Sequence, residues 1–280
     1  MFRERDFVRP PAVAGTFYPE DKLELQKNCE MLLARARSET PALEHGEPFA
    51  IVSPHAGYPY SGFTAAHGYS LLKENEFETV AVVSPSHREY FEGISVFSGG
   101  AYSTPLGDIP VDTELRDLFL EKTGDVAIES RAGHKDEHAL EVQLPFLQLS
   151  LGKFNLLPIV MGDQRPEFCR TLGMVLADLA KQKHLLVVAS SDLSHYYNYD
   201  IANEIDGITM KHVSELNPDE FLVDVANRRC EACGAGPIAA CMYAGIKVGR
   251  KRMAVLHHCN SGDTTGDKFA VVGYMSAVIS

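Results

Sequence analysis

Three histidines follow three similar short apolar segments, and this repetition is the feature from which the chemistry of the chain is predicted. The segments are Ile51–His55, Val82–His87 and Val187–His195, and in each a β-branched run breaks at Ser and is followed within a few residues by His. Such runs are typical of buried strands. In an open α/β sheet, ligands collect at the loops that leave the carboxyl ends of the strands. We therefore expect the three histidines to face one site.

The matched positions of His55 and His87 suggest that these two side chains bind one metal ion. Neutral imidazole is the commonest metal ligand in proteins and suits zinc, copper and iron. The alternative is a pair of hydrogen-bonded structural histidines, and spacing alone does not decide between the two roles. Two ligands also leave a metal site incomplete, so a third Cys, His, Asp or Glu is required.

A cysteine near the end of the chain is a candidate for that third ligand. Cys233 stands in a Cys-Gly-Ala-Gly-Pro sequence just before a helix predicted over residues 238–245. A helix N-terminus lowers the pKa of a thiol and favours the thiolate. The alternative is a buried, inert cysteine.

The same cysteine also belongs to a Cys-x-x-Cys pair with Cys230. With His257–Cys259 as a second half, this pair would form a structural zinc knuckle. We favour this less, because zinc-ribbon partners normally come as another tight pair. A thioredoxin-like redox pair is less favoured still, because the motif comes late in the chain and not after the first strand.

The run Ser190–His195 contains Ser, Asp and His, which invites comparison with a hydrolase. A triad is recognised by geometry, and the chain has no Gly-x-Ser-x-Gly elbow. We predict instead that His195 is a proton-transfer group facing the same pocket. Asp192 would orient it or hydrogen-bond a metal-binding histidine, or else cap a helix.

A polar stretch over residues 133–145 turns amphipathic along its length. If it is helical, His134, His138 and Glu141 share one face. It is either a capped, solvated helix start or part of the pocket wall. The spacing differs from His-Glu-x-x-His, so a zincin is not supported.

Composition restricts the class of protein. The 280 residues carry a formal net charge of −12, which argues against nucleic-acid and anionic-membrane partners. No apolar run approaches the roughly 18 residues of a membrane span, and the charged start Met1–Asp6 does not resemble a signal peptide. Six cysteines are too few for a disulfide framework, so we expect a cytoplasmic protein. Alternating strands and helices without a linker predict a single α/β domain over residues 1–280.

With these residues identified, the sequence resembles the Memo family, whose archaeal and bacterial form is called AmmeMemoRadiSam system protein B. The combination is specific and extends over almost the whole chain. The matching stretches are Val8–Pro19, Ser53–Tyr58, Ser84–His87, Asp136–Glu141, Ser190–His195 and Cys233–Ile238.

The resemblance implies both a fold and a site. Memo proteins are similar to the catalytic subunit of class III extradiol dioxygenases, a single α/β domain with a central mixed sheet flanked by helices. Those enzymes hold a non-haem iron with two His and one carboxylate. Carried onto this chain, the Memo pattern places the metal ligands at His55, His87 and Cys233, with Asp192 and His195 beside them. A thiolate in place of the carboxylate favours Cu(I), zinc or an altered iron site, so catechol ring cleavage does not follow from the fold.

We therefore expect a metal-dependent redox enzyme that acts on a small molecule. Its metal would be iron or copper, with zinc as a further option, and open coordination positions would accept O₂ or substrate. One alternative is a non-catalytic module that binds an anionic or phosphorylated peptide, with Arg88 as the basic residue beside the pocket. Another is a metal-dependent hydrolase. The resemblance also implies an association with a radical SAM protein.

Overall fold

A large mixed sheet with helices on both faces forms the framework of the protein. The computed structural model describes residues 4–43 and 46–280. Residues 1–3 of the charged start, and residues 44–45 of a polar loop predicted over 38–47, lie outside the described residues. The strands are β1 (Val8–Arg9), β2 (Ala50–Ser53), β3 (Thr79–Pro85), β4 (Ile94–Phe97), β5 (Ala101–Thr104), β6 (Gly107–Pro110), β7 (Ala127–Ser130), β8 (Asn155–Met161), β9 (Leu185–Ser190), β10 (His195–Tyr197), β11 (Ala254–Asn260) and β12 (Val271–Ile279). The helices are α1 (Lys22–Glu39), α2 (Phe63–Tyr69), α3 (Thr113–Thr123), α4 (Leu144–Leu151), α5 (Pro166–Leu179), α6 (Tyr199–Ser214), α7 (Pro218–Ala226), α8 (Ala235–Lys247) and α9 (Ser261–Thr265).

The centre of the sheet is parallel and its flanks are antiparallel. The order across it is β10, β12, β2, β9, β3, β8, β4 and β7, with β11 paired to β12. Strands β2, β9, β3 and β8 run parallel to one another. Strand β12 is antiparallel to β2, and β4 is antiparallel to β8. The carboxyl ends of the four central strands therefore meet at one edge, where their exit loops lie side by side. A small separate sheet is formed by β1, β5 and β6.

Both faces of the central strands are buried, which explains their unbroken β-branched sequences. In β3, Ala81 and Val83 belong to one hydrophobic core, whereas Val80 and Val82 belong to the core on the opposite face. Helices α3, α5, α7 and α8 pack together, and α1, α2 and α4 form a second group. The predicted α/β class with a central mixed sheet flanked by helices is confirmed.

Aspartate side chains cap two of the helices. Asp21 and Asp112 accept backbone hydrogen bonds at the starts of α1 and α3. The helix predicted over 238–245 is longer and begins at Ala235. No helix of the described residues is long and apolar enough to cross a membrane.

Residues 133–145 do not form the capped, solvated helix start that is one of the two alternatives for this stretch, which leaves the pocket-wall alternative. The stretch contains a short 3-10 turn at Glu141–Gln143, and the α-helix begins only at Leu144. His134 and Glu141 are both fully buried. The reason is a tertiary contact that residue spacing cannot reveal.

That contact is a buried ion pair between Arg9 of the N-terminal arm and Glu141. The Arg9 guanidinium also donates to the carbonyl oxygens of His134 (2.8 Å) and Glu137 (2.6 Å). The other donors to the Glu141 carboxylate are Ala12 N (2.7 Å), Val13 N (3.0 Å) and Tyr18 Oη (2.6 Å). Because each charge is fully hydrogen-bonded, the arm is held against the polar stretch 133–141.

Candidate metal centre

His55 leaves the end of β2 and is almost completely buried, with 2% of its surface exposed. Its Nδ1 lies 2.9 Å from Ser190 Oγ, and its Nε2 lies 3.1 Å from Cys233 Sγ. Burial holds the pKa of His55 well below its usual range, and the neighbouring His87 and His138 lower that pKa further. The ring is therefore neutral at physiological pH, as a metal ligand must be.

His87 leaves the end of β3 and is fixed by one carboxylate. Its backbone N–H donates to Glu137 Oε2 (2.6 Å), and its Nδ1 lies 2.9 Å from Glu137 Oε1. Burial alone would raise the pKa of Glu137, but hydrogen bonds from His138 and His87 together hold that pKa well below its usual range. The ionised carboxylate accepts a hydrogen bond from His87 Nδ1–H, which leaves the Nε2 lone pair of His87 for a metal.

Cys233 approaches the same point from the turn before α8. The next residue must be glycine, because a Cβ at Gly234 would lie 2.3 Å from the carbonyl oxygen of Ser190. The backbone N–H of Asp192 donates to Cys233 Sγ (3.3 Å). Burial raises the pKa of the Cys233 thiol well above its usual range, and the charge of Asp192 adds to this. Burial and the charge of Asp192 therefore outweigh the lowering of the thiol pKa that is expected from a helix N-terminus.

These three side chains converge on one point. One ligand atom from each of His55, His87 and Cys233 lies within 4.8 Å of the other two. Two neutral imidazole nitrogens and one sulfur form a donor set that fits zinc, copper or iron better than the hard ions magnesium and calcium. The residues brought together thus fit the transition metal expected from the sequence.

Two further residues at the site belong to the stretch 133–145, for which the sequence leaves a role in the pocket wall open but predicts no metal ligand. Glu137 and His138 form a second candidate metal-binding group with His87. The His138 ring centroid lies 5.3 Å from that of His55 and 4.9 Å from that of His87. Both residues stand in the Asp136–Glu141 motif, which is the signal in the sequence that could identify them.

Asp192 and His195 lie beside these ligands with different roles in the hydrogen-bond network. Asp192 Oδ1 accepts from the backbone N–H of His55 (2.7 Å), and its Oδ2 lies 4.0 Å from His55 Nε2. It therefore supports the His55 loop and is not a helix cap, since α6 is capped by Asn198. Burial raises the pKa of Asp192, although the His55 hydrogen bond and a positive charge on His195 lower it in part. His195 Nδ1 lies 2.8 Å from the carbonyl oxygen of Leu193, so Nδ1 is the ring nitrogen that donates there.

The alternative zinc knuckle does not assemble in the described part of the chain. The His/Cys/Asp/Glu groups found there that could hold a metal include neither Cys230 nor any of His257–Cys259. His258 Nε2 instead lies 3.1 Å from Asp206 Oδ2, and Cys259 Sγ lies 3.0 Å from Thr64 Oγ1.

The fold and the site together define a class: an open α/β protein that gathers two histidines and a cysteine at the carboxyl edge of its parallel strands. A family model described as Memo-like protein matches residues 9–278, and the chain belongs to the Memo family. A MEMO1 family protein of Methanosarcina mazei is 40% identical over 97% of this chain and 99% of its own length. A MEMO1 family protein of Methanocaldococcus jannaschii is 38% identical with the same two coverages.

A solved structure shares the fold at low sequence identity. An uncharacterized protein from Escherichia coli K12 superposes with a TM-score of 0.50 and 13% identity, covering 82% of this chain and 99% of its own. This likeness concerns the fold alone.

Proposed function

We propose that this Memo protein is a metal-dependent redox enzyme in which His55, His87 and Cys233 bind one transition metal ion. The observation that carries the proposal is the convergence of the three ligand atoms within 4.8 Å of one another at the strand ends. Iron or copper is the proposed ion, with zinc as the further option. A redox-active ion held there would carry electrons from a small-molecule substrate to O₂, which would be the oxidant.

The surrounding residues have separate tasks in this proposal. Glu137 accepts a hydrogen bond from the Nδ1–H of His87 and so keeps the other ring nitrogen available. Asp192 holds the His55 backbone in place. His195 donates its Nδ1–H to Leu193 O, so its Nε2 is the atom that accepts a proton from substrate.

Metal analysis of protein purified without added metal tests the proposal. We expect close to one ion per chain in the wild type and almost none in His55→Ala and Cys233→Ser. Cys230→Ser is the matched control, because Cys230 is a buried cysteine of the same motif that lies outside the candidate groups. Equal metal content in all four proteins would overturn the proposed site.

The binding-module alternative depends on Arg88, which is exposed next to His87. The carboxylates of Glu137 and Asp192 beneath the same site disfavour an anionic ligand. Chelator-sensitive O₂ consumption supports the enzyme, whereas chelator-insensitive binding of a phosphopeptide supports the module. A hydrolase would hold zinc and show no redox signal. The cytoplasmic location and the association with a radical SAM protein stay predictions.

A further inference from the structure

The hydroxyl group of Ser190, at the end of β9, lies within hydrogen-bond distance of the His55 ring. Among the described residues its Oγ has three hydrogen-bonding neighbours: His55 Nδ1 at 2.9 Å, Gln143 Nε2 at 2.8 Å and the carbonyl oxygen of Ala139 at 2.6 Å. Ser190 and Gln143 are both fully buried. The hydrogen-bond donors of both side chains must therefore be satisfied by protein acceptors, and this fixes the direction of each hydrogen bond at Ser190.

The orientation of the Gln143 amide is fixed first. Its nitrogen lies 3.0 Å from the carbonyl oxygen of Pro54, which can only accept a hydrogen bond. Reversing the amide would place two acceptors against each other. On the other side, Gln143 Oε1 accepts from the hydroxyl of Tyr69 at 2.6 Å. Gln143 therefore presents an N–H, and not an oxygen, to Ser190.

The single proton of the Ser190 hydroxyl is assigned next. The Ala139 carbonyl can only accept, so Ser190 donates its proton there. Only lone pairs of Ser190 Oγ then remain for its other two neighbours. Gln143 donates its own N–H to one of these lone pairs. His55 Nδ1 must donate an N–H to the other, because an unprotonated ring nitrogen would place its lone pair against a lone pair of Ser190 Oγ.

We propose that Ser190, oriented by Gln143, is a positioning residue that fixes His55 as the Nδ1–H tautomer. The lone pair of His55 then sits on Nε2, the atom 3.1 Å from Cys233 Sγ. The opposite tautomer would direct an N–H at the site and could not bind a metal. The consequence for metal binding rests on the proposed function, whereas the tautomer itself does not.

The chain contains a matched control for this serine. Ser84 occupies the corresponding strand-end position in β3, before His87, and it is also fully buried. Its hydroxyl has no hydrogen-bond partner among the described residues. Ser84→Ala therefore removes a buried strand-end hydroxyl without removing a hydrogen bond to a histidine.

The first experiment determines the tautomer in metal-free wild-type protein. Histidine is labelled with ¹⁵N, the metal is removed with a chelator, and two-bond ¹H–¹⁵N correlations separate protonated from unprotonated ring nitrogens. A His55→Gln sample assigns His55 among the eleven histidines. We expect a protonated Nδ1 and a bare Nε2. A protonated Nε2 in the wild type overturns the inference, and this result does not depend on whether any variant folds.

The second experiment uses Ser190→Ala and Ser84→Ala, with folding checked by circular dichroism. In Ser190→Ala we expect a substantial Nε2–H population at His55 and a Co²⁺ affinity that falls by about ten- to a hundredfold. Ser84→Ala should keep the wild-type tautomer and affinity. A folded Ser190→Ala protein with an unchanged His55 tautomer overturns the inference. If the tautomer changes but not even the wild type binds Co²⁺, the positioning role stands and the proposed metal site fails.

Discussion

Glu137 holds His87 through both of its carboxylate oxygens, one on the backbone N–H at 2.6 Å and the other on the ring Nδ1 at 2.9 Å. Fifty positions of the chain separate these residues, yet the contact fixes both the position of the loop after β3 and the nitrogen that His87 presents to the site. A carboxylate behind a metal-binding histidine raises the basicity of that ligand.

Replacing this carboxylate should weaken metal binding without removing a ligand. We expect Glu137→Gln to lower the affinity for Co²⁺ or Zn²⁺ by about ten- to a hundredfold, because the amide no longer draws the Nδ1 proton electrostatically. Competition with a chromophoric chelator measures the effect. Asp136→Asn is the matched control, since the Asp136 side chain is 67% exposed, and its affinity should equal that of the wild type. Equal losses of metal affinity in both variants would show that the effect comes from removing a negative charge and not from the contact between Glu137 and His87.

The ion pair between Arg9 and Glu141 should contribute strongly to stability. Glu141→Gln leaves the Arg9 guanidinium buried without its counter-charge, and breaking such a pair costs about 3–5 kcal/mol. Urea unfolding followed by circular dichroism measures this loss. Glu39→Gln breaks the exposed Arg35–Glu39 pair and should cost less than about 1 kcal/mol. Similar losses for the two variants would contradict the structural role of the buried pair.

A buried histidine far from the candidate metal site should make stability depend on pH. Burial lowers the pKa of His67 to about 4 from an ordinary value of 6.5, and the stacked ring of His257 contributes to that shift. Between pH 6.5 and 4, the unfolded chain therefore binds a proton at His67 that the folded chain does not bind. This contribution to stability is complete above pH 6.5 and is lost as the pH falls from 6.5 towards 4.

The test compares urea unfolding at pH 7 and pH 5. His67→Gln should lose less stability on acidification than the wild type, with a difference of at most about 1.4 kcal/mol per pH unit. Thr40→Val removes the 2.8 Å contact to His67 Nδ1 but keeps the titrating ring, so its pH dependence should stay close to that of the wild type. An unchanged pH dependence in His67→Gln would rule out this histidine as the source.

The sequence predicted the sheet more fully than the site. Buried β-branched runs locate β2, β3 and β9, because each strand is covered on both faces and local sequence records that burial. The sequence also indicated that His55 and His87 lie at one edge of the sheet, because parallel strands place their exit loops side by side. Cys233 was one of several candidates on local grounds, and the family pattern singled it out.

The remaining parts of the site depend on contacts between distant segments. Glu137 meets His87, and Gln143 meets Ser190, only because Arg9 and Glu141 fix the intervening stretch in a non-helical path. Helical spacing is a local property and could not anticipate this path. Burial likewise outweighs the local effect of the helix N-terminus on the pKa of Cys233.

The pairing of β2 with β9 and β12 has a consequence for biosynthesis. The strand that delivers His55 is made early, but both of its neighbours in the sheet come from the last hundred residues of the chain, as does Cys233. A nascent chain on the ribosome that has reached only α4 holds His55 and His87 but neither the thiol nor the strands that flank β2. In the proposed function, a metal ion could therefore be bound by all three side chains only after Cys233 and the two flanking strands have been made.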